Sequence, residues 1–322
     1  MNESFQDPDP VYPVGCEGGW VKNPAEVWRV CRLIEQSGQR AMFSDAGALL
    51  MQDDDDKDVF LWHGEQKVLG NVLGSWNQGQ VGSCVSFGFG RAVQDLLLWE
   101  IACGESERWP GAEVATEPIY AGSRVEVGGG GISGDGSIGA WAAKWVKDWG
   151  ILVRQRYGEY DLTSYNEQRC RDWGYRGCPD ALEPIAREHP VTAVAMVRTA
   201  DEGWAALGGG KPVAICSNQG FTTVLRDGFC VPSGSWAHCM CLRARFLHPT
   251  RGKCFVIQNS WGGYLSGNNV LQTSKSGSVT LPEGCFATTW STIDRILRQE
   301  DSFALAGLTG WARNRLTWNP LG

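Results

Sequence analysis

The longest apolar pattern in the chain begins at a cysteine. Val85, Ala92, Val93, Leu96, Leu97 and Ile101 recur at helical spacing and Gly104 offers a stop, so a long, mostly buried helix is predicted over 84–104 despite Gly88 and Gly90 in its first turns. A second stripe, Ile138, Trp141, Ala142, Trp145 and Trp149, steps by three and four up to Gly150 and predicts a core-facing helix rather than an aromatic binding platform. Upstream, NPAEVWRVCRLIEQSG (23–38) carries its own punctuation. Asn23 caps, Pro24 sits in the first turn, Glu26 completes a capping box, Val27, Cys31 and Ile34 share a face, and Gly38 ends the helix. Thr199 and Glu202 form another capping box before a short helix that ends near Gly208. After Gly210 the period changes: PVAIC (212–216), AHCMCLRARF (237–246) and KCFVIQN (253–259) are short apolar or alternating runs bounded by Gly and Pro, as antiparallel strands require. Helices first and sheet second is an α+β order with segregated halves.

The chain has 322 residues, which calls for one large two-lobed domain with extensions, or two domains. Residues 1–60 are expected to be an extension with one helix, in which DDDD (53–56) followed by Lys57 is a solvated acidic turn and not a calcium loop, its spacing being unlike an EF-hand's. The main domain is placed at 61–300, helical to about 195 and mainly β after it, and 301–322 is a tail with no element assigned. Composition narrows the function classes. Hydrophobic residues at 43% and charged residues at 20% are globular, and no run approaches the roughly 20 apolar residues that span a bilayer, so no membrane partner is expected. A net charge of -7 without Lys/Arg clusters excludes a phosphate backbone as main partner. The N-terminus MNESFQDPDPVYPVG has neither a basic start nor an apolar core, which makes the cytoplasm the default compartment. In that setting the twelve cysteines are expected to be mostly small buried apolar residues, including the strand-borne set Cys216, Cys230, Cys239, Cys241 and Cys254, which lacks a CxxC pair and suggests no metal site.

The candidate chemistry sits in NQGQVGSCVSFGFG (77–90). A thiol at a helix N-terminus gains from the backbone amides and the dipole there, and a neighbouring imidazolium favours the thiolate further. Four histidines are available. His63 lies upstream of the motif, His189 and His248 each precede a proline, and His238 falls inside a strand-like run, where a base is rigidly held, so His238 is the candidate by elimination. QNSWGG (258–263) adds Asn259, whose amide can orient the imidazole, and Trp261, which can shield that hydrogen bond.

QGQVGSC, the histidine strand and NSWGG, in that order, resemble the papain and cathepsin family of cysteine peptidases over roughly residues 65–295. The resemblance implies a papain-like two-lobed fold, a helical lobe followed by an antiparallel β-barrel-like lobe with the active site in the cleft between them. It implies Cys84 as nucleophile, His238 as the base that becomes the imidazolium, Asn259 as the orienting residue, and Gln78 as an oxyanion donor beside the nucleophile's own N–H. GDGSIGAWAAKWVKDWGI is similar to the family's substrate loop and following helix, which puts Gly136 and Ser137 at the substrate backbone, and Trp261 is counted with them. TADEGWAALGGGKPVAIC and LRDGFCVPSGSWAHCM are similar to the segments leading to the histidine. The implied activity is a cysteine-type peptidase working through a thioester, with a peptide or protein substrate, no cofactor and no metal. The alternatives are a papain-like fold kept as a structural or binding component, for example in a virion, and acyl or isopeptide transfer at the same site. Without a paired-histidine loop, endopeptidase activity is favoured.

The departures carry information as well. The family's usual cysteine three residues before the nucleophile is Val81 here, and its usual partner in the glycine loop is also missing, since 104–169 hold no cysteine. That joint loss fits a reducing compartment. Val85 stands where Trp is usual, Ala237 stands where Asp or Asn is common, and His238 follows Cys84 by 154 residues, a modest insertion beyond the family spacing. Residues 1–60 lack the long helical pattern of the usual inhibitory prosegment.

Overall fold

The computed structural model describes residues 11–13, 16–45, 57–104 and 109–310. The acidic run 53–56 and the end of the tail, 311–322, lie outside them. Helix α1 (Pro24–Gln36) starts as its sequence dictates, with the Glu26 N–H donating to Asn23 Oδ1 at 3.2 Å. The capping box is only half made: the Glu26 carboxylate turns to Arg29 and to the Trp141 indole, which draws α1 onto a later helix. Strand β1 (Val59–Phe60), α2 (Trp62–Leu69) and α3 (Cys84–Cys103) follow, α3 ending at left-handed Gly104. Next come α4 (Thr116–Gly122), which runs into a π-turn at Ser123–Val127, and α5 (Gly139–Asp148). A small hairpin β2 (Arg156–Tyr157) and β3 (Tyr160–Asp161), then α6 (Glu167–Arg176) and α7 (Glu183–Ala186), complete the helical half.

From Val191 strands dominate. A seven-stranded antiparallel sheet has the order β12 (Cys285–Thr289), β8 (Gly252–Gln258), β7 (Pro232–His248), β5 (Val213–Phe221), β13 (Phe303–Leu308), β4 (Val191–Met196), with β1 also on β7. Helices α8 (Ala200–Gly208) and α9 (Trp290–Leu297) lie between strands in sequence, and α8 begins where Thr199 Oγ1 accepts the Glu202 N–H. Phe303–Leu308, left unassigned by the sequence, is a strand between β5 and β4.

Strand alternation divides the core in two. On β5 and β7, Ala214, Cys216, Cys239 and Cys241 face the cluster that contains α1, α3 and α5, whereas Val213, Ile215, Met240 and Leu242 face the cluster that contains α8 and α9. The helix-facing residues are small because α3 lies close: a Cβ on Gly88 would fall 2.6 Å from Cys239 Sγ. Gly88, unfavourable for an isolated helix, is what lets α3 lie on β7. All twelve cysteines are among the described residues, and none of them is in a disulfide. Among the described residues no helix is long and apolar enough to cross a membrane.

Candidate active site

Cys84 is the first residue of α3, and the loop before it is clamped to the loop after β8. Gln78 N–H donates to Ser260 C=O (2.9 Å), Gly262 N–H donates to Trp76 C=O (3.0 Å), and Asn77 bridges to Trp261. The two motifs, nearly two hundred residues apart, are thereby one backbone unit. Strand β7 brings the histidine. Its next residue, Cys239, points its N–H at Cys84 Sγ (3.4 Å), and His238 Nε2 lies 2.6 Å from Asn259 Oδ1. Asn259 Oδ1 also accepts the Ser260 backbone N–H at 2.6 Å, which fixes it as an acceptor. His238 Nε2 therefore carries the ring proton and Nδ1 keeps its lone pair, buried and without a hydrogen-bond partner. The Trp261 ring lies 4.4 Å from the imidazole, centroid to centroid, covering the His–Asn bond.

Gln78 points its amide the same way. Nε2 donates to Val81 C=O (3.0 Å) and Glu17 C=O (3.1 Å), while Oε1 accepts from Ser260 Oγ (2.7 Å). Cys84, His238, Asn259, Gln78 and Trp261 thus form one cluster. The pair expected from the sequence to meet a substrate, Gly136 and Ser137, divides. Ser137 turns its main chain to the cluster side, whereas Gly136 spends its N–H on Tyr120 Oη (3.0 Å) and its C=O on Arg124.

What Ser137 meets is the chain's own N-terminal segment. Gly19 C=O accepts from Ser137 N–H (2.8 Å) and Val21 N–H donates to Ser137 C=O (2.9 Å), so Trp20 pairs with Ser137 in parallel. On the opposite wall, Gly19 and Trp20 both donate to Ala237 C=O, at 2.8 and 3.0 Å. Glu17 C=O takes the amides of both Gln78 and Trp261 (2.9 Å from the indole). Only glycine fits at 19, where a Cβ would fall 1.9 Å from Gly82 C=O. The Trp20 indole is 4% exposed and donates to Asp301 Oδ2 at 2.7 Å. Residues 16–21 are a strap across the site. Sequence reading missed Trp20, Asp301 and Tyr12, whose hydroxyl pairs with the main chain of Ala237. The one legible signal was the Gly18–Gly19 pair, a mark of close backbone approach without an address.

The strap changes the electrostatics. Burial holds the Cys84 thiol far above its ordinary range, outweighing the backbone N–H groups of Cys239, Val85 and Trp20 that lower it, and burial depresses His238 to about 4 against the Asn259 bond. Under the strap both groups are neutral, because the dipole of α3 is a smaller effect than full desolvation. Asp301 goes the other way: burial pushes it up to about 7 against the N–H donors of Trp20, Gly139 and Ala140. The two oppose each other in stability. His238, depressed, contributes stability above pH 6.5 that is lost as pH falls towards 4; Asp301, raised, contributes stability below 3.8 that is lost as pH rises through 7. Removing one exposes the other. Asp301→Asn is expected to steepen the rise of unfolding free energy between pH 4.5 and 6 by about 1.4 kcal/mol per unit relative to the native chain, by urea titration. Parallel pH profiles of the two proteins would show that Asp301 holds no proton there.

The fold is that of the papain-like cysteine proteases, a mixed assembly of helices and antiparallel sheet. The chain is similar to xylellain, a cysteine protease from Xylella fastidiosa, at a TM-score of 0.51 and 15% identity, covering 92% of this chain and 94% of that one. Other similar structures are digestive procathepsin L 3 of Tenebrio molitor larval midgut (TM-score 0.49, 15% identity, 88% and 89% covered) and the proform of the ragweed pollen allergen Amb a 11, a cysteine protease (TM-score 0.49, 15% identity, 84% and 72% covered). No protein-family model and no curated protein matches the sequence.

Proposed function

We propose that the protein is a cysteine peptidase whose site, in the conformation described, is covered by its own residues 16–21. The observation that carries this reading is the His238–Asn259 bond, which leaves a buried lone pair on Nδ1 beside the residue that touches the Cys84 sulfur. With the strap displaced, water returns, the desolvation that keeps both groups neutral is relieved, and Nδ1 takes the thiol proton. The thiolate attacks a peptide carbonyl, and the resulting oxyanion occupies the place now held by Glu17 C=O, in reach of the Gln78 amide. His238 then protonates the leaving amine, and water hydrolyses the thioester, returning the proton to the imidazole. Asn259 keeps the ring in the tautomer that this sequence of transfers needs.

Modification by an electrophilic epoxide that mimics a peptide tests the reading. Under reducing conditions the epoxide is expected to alkylate Cys84 in the native chain slowly and in Trp20→Ala rapidly, and to leave Cys84→Ala unmodified at the site. No adduct on Cys84 in either thiol-bearing protein removes the peptidase reading. Intact mass after incubation then reports whether loss of the N-terminal segment requires Cys84.

A further inference from the structure

The segment 128–137, GGGGISGDGS, has little of its own to hold it in one shape. Six of its ten residues are glycine, and Gly129, Gly130, Gly134 and Gly136 have positive φ. Yet its last residue, Ser137, presents the N–H and C=O that pair with the strap at 2.8 and 2.9 Å. The hold comes from Arg124. The chain leaves α4 through the π-turn, and there Arg124, 3% exposed, turns its guanidinium to the loop. Nε donates to Gly174 C=O of α6 (2.7 Å), Nη2 to Gly134 C=O (2.7 Å) and Ile132 C=O (3.2 Å), and Nη1 to Gly136 C=O and Tyr120 Oη (3.3 Å). The five N–H donors of the arginine thus meet five acceptors, three of them the alternate carbonyls of 132, 134 and 136. None of the five is a carboxylate; carbonyl and hydroxyl dipoles compensate the buried charge. Tyr120 Oη also accepts the Gly136 N–H (3.0 Å), and Ser123 Oγ lies 2.8 Å from Ser137 Oγ. Gly136 C=O and Ser137 N–H belong to one planar peptide unit, so a bond that fixes the first aims the second.

We propose that Arg124 is a positioning residue for the peptidase reaction: by holding Gly136 C=O it aims the Ser137 main chain at the backbone of a bound substrate. The inference rests on the peptidase reading and adds to it a residue that touches neither the thiol nor the substrate. In the covered state the strap takes the substrate's place, with Gly19 C=O on the Ser137 N–H and Val21 N–H on its C=O. Lysine cannot stand in for this arginine. It keeps the charge, but its donors sit on one nitrogen and lack the planar fork that spans three loop carbonyls and Gly174. The bonds that join Cys84 to Cys239 and His238 to Asn259 involve no residue of the loop, so its loss is expected to weaken binding and to leave the chemical step.

In the full chain the strap reports how Ser137 is held. The rate at which iodoacetamide alkylates Cys84 is mapped by peptide mass, with exposed Cys103 as internal reference and ceiling. It is expected to rise about tenfold in Arg124→Lys, and about tenfold in Val21→Pro, which lacks the N–H that donates to Ser137 C=O. Because both changes act through Ser137, the double variant is expected to stay within about threefold of the faster single one. A double-variant rate equal to the product of two independent effects, or no rise in Arg124→Lys, overturns the proposal. The second arm reads turnover in the Trp20→Ala chain with a peptide it cleaves. There Arg124→Lys is expected to raise KM about tenfold or more and to keep kcat within about threefold. Methylating the peptide's amide nitrogens one at a time on the acyl side is expected to find one position that costs about tenfold in kcat/KM with Arg124 and less than about threefold in Arg124→Lys. A loss carried by kcat alone, or equal methylation penalties in the two proteins, overturns the proposal. If no peptide is cleaved while the alkylation rates keep their pattern, the peptidase reading fails and Arg124 remains the residue that aims the loop. Should Arg124→Lys not fold, Tyr120→Phe, which deletes only the shared hydroxyl, replaces it in both arms with changes of about threefold expected, and no change in either arm overturns the proposal.

Discussion

Arg243→Met is expected to cost about 3–5 kcal/mol of stability, a large share of what a domain has. Arg243 is fully buried on β7. Its Nη2 donates to Glu65 Oε1 of α2 (2.8 Å) and Asp95 Oδ1 of α3 (2.7 Å), its Nη1 to Gln258 of β8, and its guanidinium lies over the Trp62 ring. Arg91 is the second cation, bonded to Glu65 and 3.4 Å from Asp95. Truncation leaves two buried carboxylates to one arginine, and the penalty is the uncompensated charge rather than the worth of the pairs removed. The location matters for the candidate site, because α3 begins with Cys84 and β7 carries His238, so this cluster locks the two elements that carry them together. Urea unfolding of Arg243→Met, Asp95→Asn and the double variant measures the coupling. A double variant recovering more than about 1 kcal/mol is expected, and a single-variant cost under that amount would refute the view that the pairing compensates burial.

Gln78→Ala, made in the Trp20→Ala chain so that the strap does not limit turnover, is expected to lower kcat by about a hundred- to a thousandfold, equivalent to about 2.7–4 kcal/mol of transition-state stabilisation, with KM little changed. The amide points at a carbonyl oxygen in the covered state, and a transition-state oxyanion at the same place is bound more tightly than that carbonyl because it carries charge. Thermal unfolding should move by only a few degrees, since the loop stays clamped by the backbone bonds of Gln78 and Gly262. A drop in kcat below tenfold would mean that the Glu17 carbonyl does not mark the oxyanion position.

The elements that announced themselves were those with one face in the core and one cap of their own. Helix α3 was legible from its apolar spacing and Gly104, and α1 from Asn23 and Pro24, because both signals are local. Strand β13 was not. FALAGL lies between two strands with Phe303, Ala304 and Leu305 all buried, so it has no alternation to read, and its small residues resemble a tail. Val81 is a middle case. Its sequence position pointed to a missing disulfide, and the structure adds what fills the place: Val81 packs against Tyr120 and Cys170, an apolar contact beside the loop that leads into Cys84.

By itself the sequence picked out the residues of the candidate site: a cysteine opening a helix, a histidine on a strand, an asparagine and tryptophan in a tight loop, and a glutamine six residues before the thiol. Those residues sit in short motifs whose local backbone each motif encodes. Only the tertiary structure decided that the site is covered, that its thiol and imidazole are neutral under the cover, and that Trp20 reaches Asp301 across 281 residues. The strap is held largely through main-chain N–H and C=O groups, which every residue possesses, and the protonation states follow from burial, which no residue carries in its own name.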